Sequence, residues 1–474
     1  MFKIKTSITA LVAAGLFSLP MLAFAQTPAD ILKELQALKA KVEQLEKQLN
    51  EQAASQKTQQ QAQSAPVDAA EFNRVRVKTE ATEDNLEAQG FKGLKISGVI
   101  DPTFMVNRAR RTSGLNFLNN FSGDGTNKDV FAYDNSFFGT ALLDFQKEMD
   151  GGTLFRLTLA PHKSTGSGWN VGSIVHEASV SVPIDGLKTR LIAGQIPDWS
   201  GYEYYYAHQT KLITHNMMFD FLAPNFYQGV GLDITVGKWQ TKALVGNMNK
   251  VSGTLTPGQN DPILTYRVDY SKGEYQGFGF AGQHGKVYGS RFDNFEFDTY
   301  FIRGPVTMQG QIAAARLKKG AANGDSFAFG TSVLGAYKVT PRFEAVARFD
   351  YIKNQRNGGG LLGQLAGTCT VNNRDASGAF DATTSEVACN DGRNGFGPGM
   401  QFFDDGAGSA QWEPTGKGVN RTALSIGFNY LFNANTTFKG EYRLDRASAP
   451  AFLYTDGNYR KSNSVFGAAV VVSF

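Results

Sequence analysis

The sequence predicts an all-β membrane protein, an antiparallel transmembrane β-barrel of about 16 strands behind an N-terminal α-helical coiled coil. Three observations predict it. From Leu94 to Phe474 apolar residues recur with period two. The polar face of that alternation repeatedly carries full charges, which a dry sandwich interior would not hold unpaired and a water-filled lumen would. Every second connection is tight, at Asp150-Gly151-Gly152, Asp185-Gly186, Gly237, Lys272-Gly273-Glu274, Gly304-Pro305, Thr340-Pro341 and Asn433-Ala434-Asn435. Longer connections alternate with these, the pattern of barrels with short periplasmic turns and longer outer loops.

Residues 1–25 read as a signal peptide: Lys3 and Lys5, an apolar run to Phe24, and an Ala23-Phe24-Ala25 exit. The run is short and interrupted by Pro20, which argues against a membrane anchor. No later segment is long and apolar enough for a spanning helix. The 52 Gly, 36 Phe and 17 Tyr against 15 Pro suit a barrel whose apolar side faces lipid. A net charge of +4 that includes Lys3 and Lys5 argues against a nucleic-acid surface.

Residues 29–50 carry Ile31, Leu35, Leu38, Val42, Leu45 and Leu49 at alternating four and three spacing. This is a heptad seam, and Glu34 with Lys39 and Lys41 with Glu46 fall at facing flanks of parallel chains. A narrow seam on a polar helix predicts self-association, with a lean toward three strands. Residues 51–66, rich in Gln, Ala and Ser, read as a flexible linker. Residues 67–90 read as a short helix, with Phe72, Val75, Thr79, Thr82 and Leu86 in register and Gly90 at its end.

The barrel, residues 91–474, is expected to have strands near 94–107, 134–149, 153–162, 173–183, 188–196, 225–236, 238–248, 262–271, 275–286, 294–303, 306–318, 326–339, 342–353, 419–432, 436–446 and 463–474. An even count returns both ends to one side. The last strand ends in Phe474 and sets Phe466, Ala468, Val470 and Val472 on one face. That ending looks like the signal by which bacterial barrels engage the barrel-assembly machinery.

On this topology residues 197–224 form the third outer loop, expected to turn inward and narrow the lumen. Its aromatic, acidic and basic groups would line such a constriction, with Glu203, His208, Lys211 and His215 as lining candidates. Packing over the barrel mouth, with Tyr204 to Tyr206 as filling, is the plainer alternative. Alternation turns Arg156, Arg190, Lys242, Arg267, Arg348, Arg421, Lys439 and Arg443 inward, with Glu177, Asp269, Glu296, Asp298, Glu344, Asp350, Glu441 and Asp445. The near balance of signs predicts salt bridges along the wall rather than a one-signed ladder. Arg348, Arg421 and Arg443 are the candidates for a local basic stripe lining the pore.

Cys369 and Cys389 share one Gly/Asn-rich segment, and in an oxidising compartment a disulfide between them would close a loop of about twenty residues, worth about 3 kcal/mol. No histidine lies near them in sequence, so a metal site is not expected, and no cofactor motif is present. His176 with Ser179 or Ser181 could imitate a wall-mounted hydrolase pair, but no third orienting group follows, so no catalytic residue is assigned.

The chain also resembles a family of outer-membrane porins catalogued as a domain of unknown function. The residues that carry this are Glu71-Phe72-Asn73-Arg74-Val75-Arg76-Val77-Lys78-Thr79-Glu80, Gly93-Leu94-Lys95-Ile96-Ser97-Gly98, and Gly201-Tyr202-Glu203-Tyr204 through Thr214-His215-Asn216. The resemblance covers most of the chain, coiled coil included. It is similar to porins of the porin-2 type, and more remotely to phosphate-selective porins, whose one-signed basic ladder this sequence lacks.

The expected function is therefore a homotrimeric diffusion porin for small hydrophilic solutes in the outer membrane of a Gram-negative cell. Its partners would be outer-membrane lipid and, through a periplasmic N-terminal segment, peptidoglycan. Two alternatives stand beside it: a channel selective for anions or small organic solutes, and a structural envelope tether using the coiled coil.

Overall fold

The structure is a computed structural model that describes residues 41, 44, 69–88, 90–117, 138–160, 174–186, 188–224, 226–248, 262–271, 273, 275–287, 290–321, 324–359, 367–374, 380–389, 399–404 and 410–474. The signal peptide, the linker and the seam residues Ile31, Leu35, Leu38, Val42, Leu45 and Leu49 lie outside the described residues. The chain divides into two units, Met1–Gln89 and Gly90–Phe474.

In the first unit one helix, α1 (Ala69–Ala88), follows the expected 67–90 segment. Its threonines bond back one turn, Thr79 Oγ1 to Val75 O at 2.9 Å and Thr82 Oγ1 to Lys78 O at 2.7 Å. Both satisfy a hydroxyl without breaking the helix. Arg76 and Glu80 pair at 3.4 Å across one exposed turn.

The second unit is a closed 16-strand antiparallel barrel. Its wall runs β1 (Leu94–Ile100), β2 (Thr103–Asn107), β3 (Thr112–Asn116), β4 (Ala141–Glu148), β5 (Leu154–Leu159), β6 (Val175–Asp185), β7 (Thr189–Pro197), β8 (Phe226–Val236) and β9 (Trp239–Met248). It continues through β10 (Ile263–Ser271), β11 (Gln276–Val287), β12 (Ser290–Arg303), β13 (Val306–Ala321), β14 (Gly324–Lys338) and β15 (Phe343–Lys353). Beyond β15 a long connection carries two hairpins, β16 (Gly367–Arg374) with β17 (Phe380–Cys389) and β18 (Met400–Asp404) with β19 (Ala410–Pro414). The wall resumes with β20 (Arg421–Asn433) and β21 (Thr436–Ala447). A last connection holds β22 (Phe452–Leu453) and β23 (Tyr459–Arg460), and β24 (Ser462–Ser473) completes the wall. Closure is direct: β1 pairs with β4 on one side and, through Val99 and Ile100, with Ser473 and Val472 of β24 on the other. A closed sheet leaves no edge strand to be satisfied in lipid.

The period-two pattern has its expected meaning. On β20 Leu424, Ile426, Phe428 and Tyr430 are exposed outward while Arg421, Ala423 and Ser425 are buried. On β15 Phe349 points out between buried Arg348 and Asp350. On β24 Phe466 and Val472 are exposed and Val465, Ala469 and Val471 buried. The tight turns fall where expected. Gly237 (φ 61°) and Gly304 (φ 57°) each open a two-residue hairpin, Val236 pairing with Trp239 and Arg303 with Val306. Such hairpins need a positive φ at that position to match strand twist.

Four boundaries differ from the sequence reading. The first spanning strand, expected unbroken over 94–107, is interrupted at Asp101-Pro102. Proline has no N–H for the ladder, and the Asp101 carboxylate instead accepts from Gly139 N at 2.9 Å and Thr140 N at 2.6 Å. There the partner changes from β4 to the short β3, which was not anticipated because its five residues hold a single large apolar side chain, Leu115. The second spanning strand starts at Ala141 rather than at 134. Strands β12, β13 and β14 run 14, 16 and 15 residues, so the connections between β11 and β12 and between β13 and β14 are shorter than expected. Their far ends are charged, with Arg291 on Asp293 and Arg316 on Asp325, and gave no apolar alternation to read.

Candidate functional site

The third long connection, residues 198–225, joins β7 to β8, and its described residues are mostly buried against the inner face of the wall. Its base is tied first. Ser200 N (3.1 Å), the Ser200 hydroxyl and the Tyr227 hydroxyl all donate to the Asp198 carboxylate. Asp198 N donates to the Tyr205 hydroxyl at 3.1 Å, which in turn donates to Pro224 O at 3.3 Å. Both ends of the loop are thus held together over β8.

From that base the loop reaches strands on several sides. Arg267 of β10, paired with Asp298 at 2.8 Å, donates to Trp199 O at 2.8 Å. The Tyr202 hydroxyl and Ser332 Oγ of β14 lie 2.6 Å apart, and Ser332 donates to Asp350 at 2.6 Å. His176 of β6 meets Tyr205 and Tyr206 edge-on, with ring centroids 4.8 and 5.3 Å apart. Lys211 pairs with Glu344 of β15 at 2.8 Å, and Asn429 of β20 donates to both Lys211 O and Glu344 at 3.0 Å.

The densest seat is the segment Ile213-Thr214-His215. Glu441 of β21 accepts from Ile213 N (2.8 Å), Thr214 N (2.7 Å) and the Thr214 hydroxyl (2.6 Å). Arg348 of β15 donates to Thr214 O and His215 O, each at 2.7 Å, while pairing with Asp350 at 3.1 Å and Glu203 at 3.5 Å. Arg443 of β21 donates to His215 O at 3.0 Å and pairs with Asp445 at 3.2 Å. Both guanidinium side chains are 0 % exposed. Planar forks that bind carboxylates and peptide carbonyls together satisfy several donors at once, which burial of a charge requires.

A short helix, α2 (Met217–Phe221), follows. Asn216 caps it, accepting from Phe219 N at 2.8 Å and donating to Gln311 of β13 at 3.0 Å. Room for it comes from inward glycines. A Cβ at Gly330 of β14 would collide with Met218 Sδ, and one at Gly427 of β20 would lie 2.6 Å from Leu212 Cδ2. His215 stacks on Phe219 at 4.2 Å, and its Nε2 donates to Tyr204 O at 2.7 Å.

Burial shapes the titration of the loop. It pushes Glu203 up to about 7, opposed by Arg348 and helped by Asp350 and Glu441. It pushes Asp220 up to about 8 against the pull of Arg443 and Arg348. His215 is pushed down to about 3, first by burial and then by Arg348 and Lys439, so it is neutral. Carboxyls raised in the folded state stabilise the seat fully below their unfolded pKa and lose that contribution as pH rises through the folded value. The depressed His215 acts oppositely, its contribution complete above its unfolded value of about 6.5. The seat is therefore expected to loosen between about pH 6.5 and 8. Hydrogen exchange of the Ile213 and Thr214 amides checks this: protection should fall beyond the intrinsic base-catalysed rate, and Asp220→Asn should flatten the fall.

Of the residues singled out in sequence, Glu203, Lys211, His215, Arg348 and Arg443 come together here. His208 is exposed at the short-turn end, stacked on Tyr206 at 6.2 Å. Arg421 is linked to them through Asp445, the carboxylate it shares with Arg443, at 3.3 Å, and its guanidinium lies 4.3 Å from the Phe452 ring centroid. The wall elsewhere is paired as the balance of signs predicts, Arg156 with Asp144 and Glu177, and Arg267 with Asp269 and Asp298. In the β16–β17 hairpin Cys369 lies opposite Val387 and Cys389 opposite Gly367, two positions apart along the ladder. Tyr202, Thr214 and Asn216 entered the sequence reading through the family resemblance and not as lining candidates, and Ser332 did not enter it. An Asn before Met-Met-Phe-Asp-Phe was the one available signal, as a helix cap.

A family described as protein of unknown function (DUF3138) matches residues 69–272 and 265–474. The chain belongs to this family. The match takes in α1 and the whole barrel of this DUF3138 protein and begins after residues 29–50, so it does not extend to the coiled-coil segment as the sequence resemblance did. No curated protein matches the chain. Among solved structures it is similar to a loop L8 deletion mutant of OmpT, an outer membrane protein of Vibrio cholerae, at 12 % identity and TM-score 0.45, covering 80 % of this chain and 99 % of that one. It is similar also to the anion-selective porin from Comamonas acidovorans, at 11 % identity and TM-score 0.43 over 80 % and 99 % of the two chains. The outer membrane channel DcaP of Acinetobacter baumannii matches at 12 % identity and TM-score 0.44, over 80 % and 97 %.

Proposed function

We propose that this DUF3138 protein is an outer-membrane diffusion channel for small hydrophilic solutes in which the third loop narrows the lumen. The observation that carries the reading is the loop's set of bonds to inward side chains of β10, β13, β14, β15, β20 and β21. A lid resting on the barrel rim would bond to outer connections instead. Glu203, His208, Lys211, His215, Arg348, Arg421 and Arg443 would set the field that a solute meets. The protein would work as a homotrimer, with the parallel coiled coil of residues 29–50 in the periplasm, beside the peptidoglycan. Phe474 would present the last strand to the assembly machinery, and a Cys369–Cys389 disulfide would staple the β16–β17 hairpin. No catalytic role is proposed.

Planar-bilayer recording on the purified full chain tests the reading. Conductance steps in groups of three are expected. Replacing residues 202–221 by a short Gly/Ser linker should raise the single-channel conductance severalfold. Pure, folded protein that gives no steps, or a loop replacement that leaves conductance unchanged, overturns it.

A further inference from the structure

Where the loop reaches the short-turn end of the barrel it roofs a cavity of about 370 Å³, within the size range of small-ligand pockets. Its charge is lopsided. Lys211, Lys338, Arg342 and Lys439 line it together with His208, against one carboxylate, Glu344. Glu344 is already engaged by Lys211 and Asn429. Lys439 is buried, and among the described residues its ammonium donates to neutral loop oxygens, Ala207 O and Thr210 O at 2.5 Å and Thr210 Oγ1 at 3.3 Å. Lys338 and Arg342 are exposed on the β14–β15 turn and enter no ion pair among the described residues. Deeper in the lumen the buried guanidinium groups of Arg267, Arg348, Arg421 and Arg443 each sit beside a carboxylate, unlike Lys338 and Arg342 at this mouth.

The geometry points to a docking pocket for a compact dianion, carboxylate or phosphate, held beneath the loop by Lys338 and Arg342, with the charge of Lys439 behind them adding to the field. The loop supplies the roof, so the pocket exists only while the loop is seated. Concave walls of one sign concentrate a counter-ion at their centre, and Arg342 adds a planar fork suited to either oxyanion. The pocket rests on the proposed channel reading for its side, the periplasmic mouth, and adds a solute class to it.

Isothermal titration calorimetry on the full chain in detergent at low salt tests the pocket, with inorganic phosphate, succinate and, as neutral control, glycerol. Saturable binding of phosphate or of succinate is expected, and whichever binds identifies the oxyanion. The double variant Lys338→Gln/Arg342→Gln, changed only on an exposed turn, should weaken it at least about tenfold, as should added salt. No saturable binding of either anion, or equal binding by the double variant, overturns the pocket. Bilayer recording on the same preparation separates the two ideas. Steps without anion binding sink the pocket alone, whereas anion binding without steps sinks the channel reading and leaves the pocket standing.

Discussion

Replacing Arg348 by Met is expected to unseat the loop at a local cost of about 3–5 kcal/mol, the penalty for breaking a buried ion pair from one side. Arg348 is the shared partner of Asp350, Glu203, Thr214 O and His215 O, and lies 3.9 Å from Glu441. Methionine fills much of the volume and leaves three carboxylates facing one another without that cation. The expected outcome is a larger and noisier single-channel conductance, with proteolysis at Lys211 that the parent resists. Arg348→Lys keeps the charge but loses the fork that spans two carbonyls, so it should fall between the two. An Arg348→Met protein with parental conductance and protease resistance would show that the guanidinium does not hold the loop.

The second large effect is expected at Glu441. Glu441→Ala leaves Ile213 N, Thr214 N and the Thr214 hydroxyl without their charged acceptor. Hydrogen bonds to a charged group contribute about 1.5–3 kcal/mol each, and the shortfall of three is not fully additive. A local loss of about 3 kcal/mol or more is expected, read as faster hydrogen exchange confined to residues 211–216. The wall should be spared, because β21 keeps its ladders to β20 and β24. Glu441→Gln retains one acceptor oxygen and should lose less. Exchange that accelerates equally across β21 would assign Glu441 to the wall rather than to the loop.

The barrel was legible in the sequence because its determinant is local. Phe428 and Phe349 face outward and Arg348 and Glu441 inward for a reason that needs only the two-residue pleat, and Gly237 and Gly304 mark turns by their own backbone preference. The break at Asp101-Pro102 was half legible. The proline was visible, but the amides of Gly139 and Thr140 that the aspartate captures come from a segment about forty residues on. The loop's seat was least legible. Arg348 and Arg443 could be named as inward cations, yet that both converge on the His215 carbonyl depends on closure of the whole wall. Nothing in the sequence sets Gly330 and Gly427 apart from other strand glycines; Met218 and Leu212 against them supply the reason.

The seat also fixes an order of events during biogenesis. Thr214 finds its acceptor in Glu441, 227 positions later, and the Thr210 carbonyl meets Lys439 after 229. Until β21 joins the wall, the Ile213 and Thr214 amides and the Thr210 carbonyl lack these partners, and only the Arg348 side of the seat is in place; closing so long a stretch of chain is slow. A chain stalled before residue 439 would carry the segment half-seated, with the Ile213 and Thr214 amides open to solvent. Acquisition of protease resistance around Lys211 is therefore a clock for the last step of assembly, not for the first.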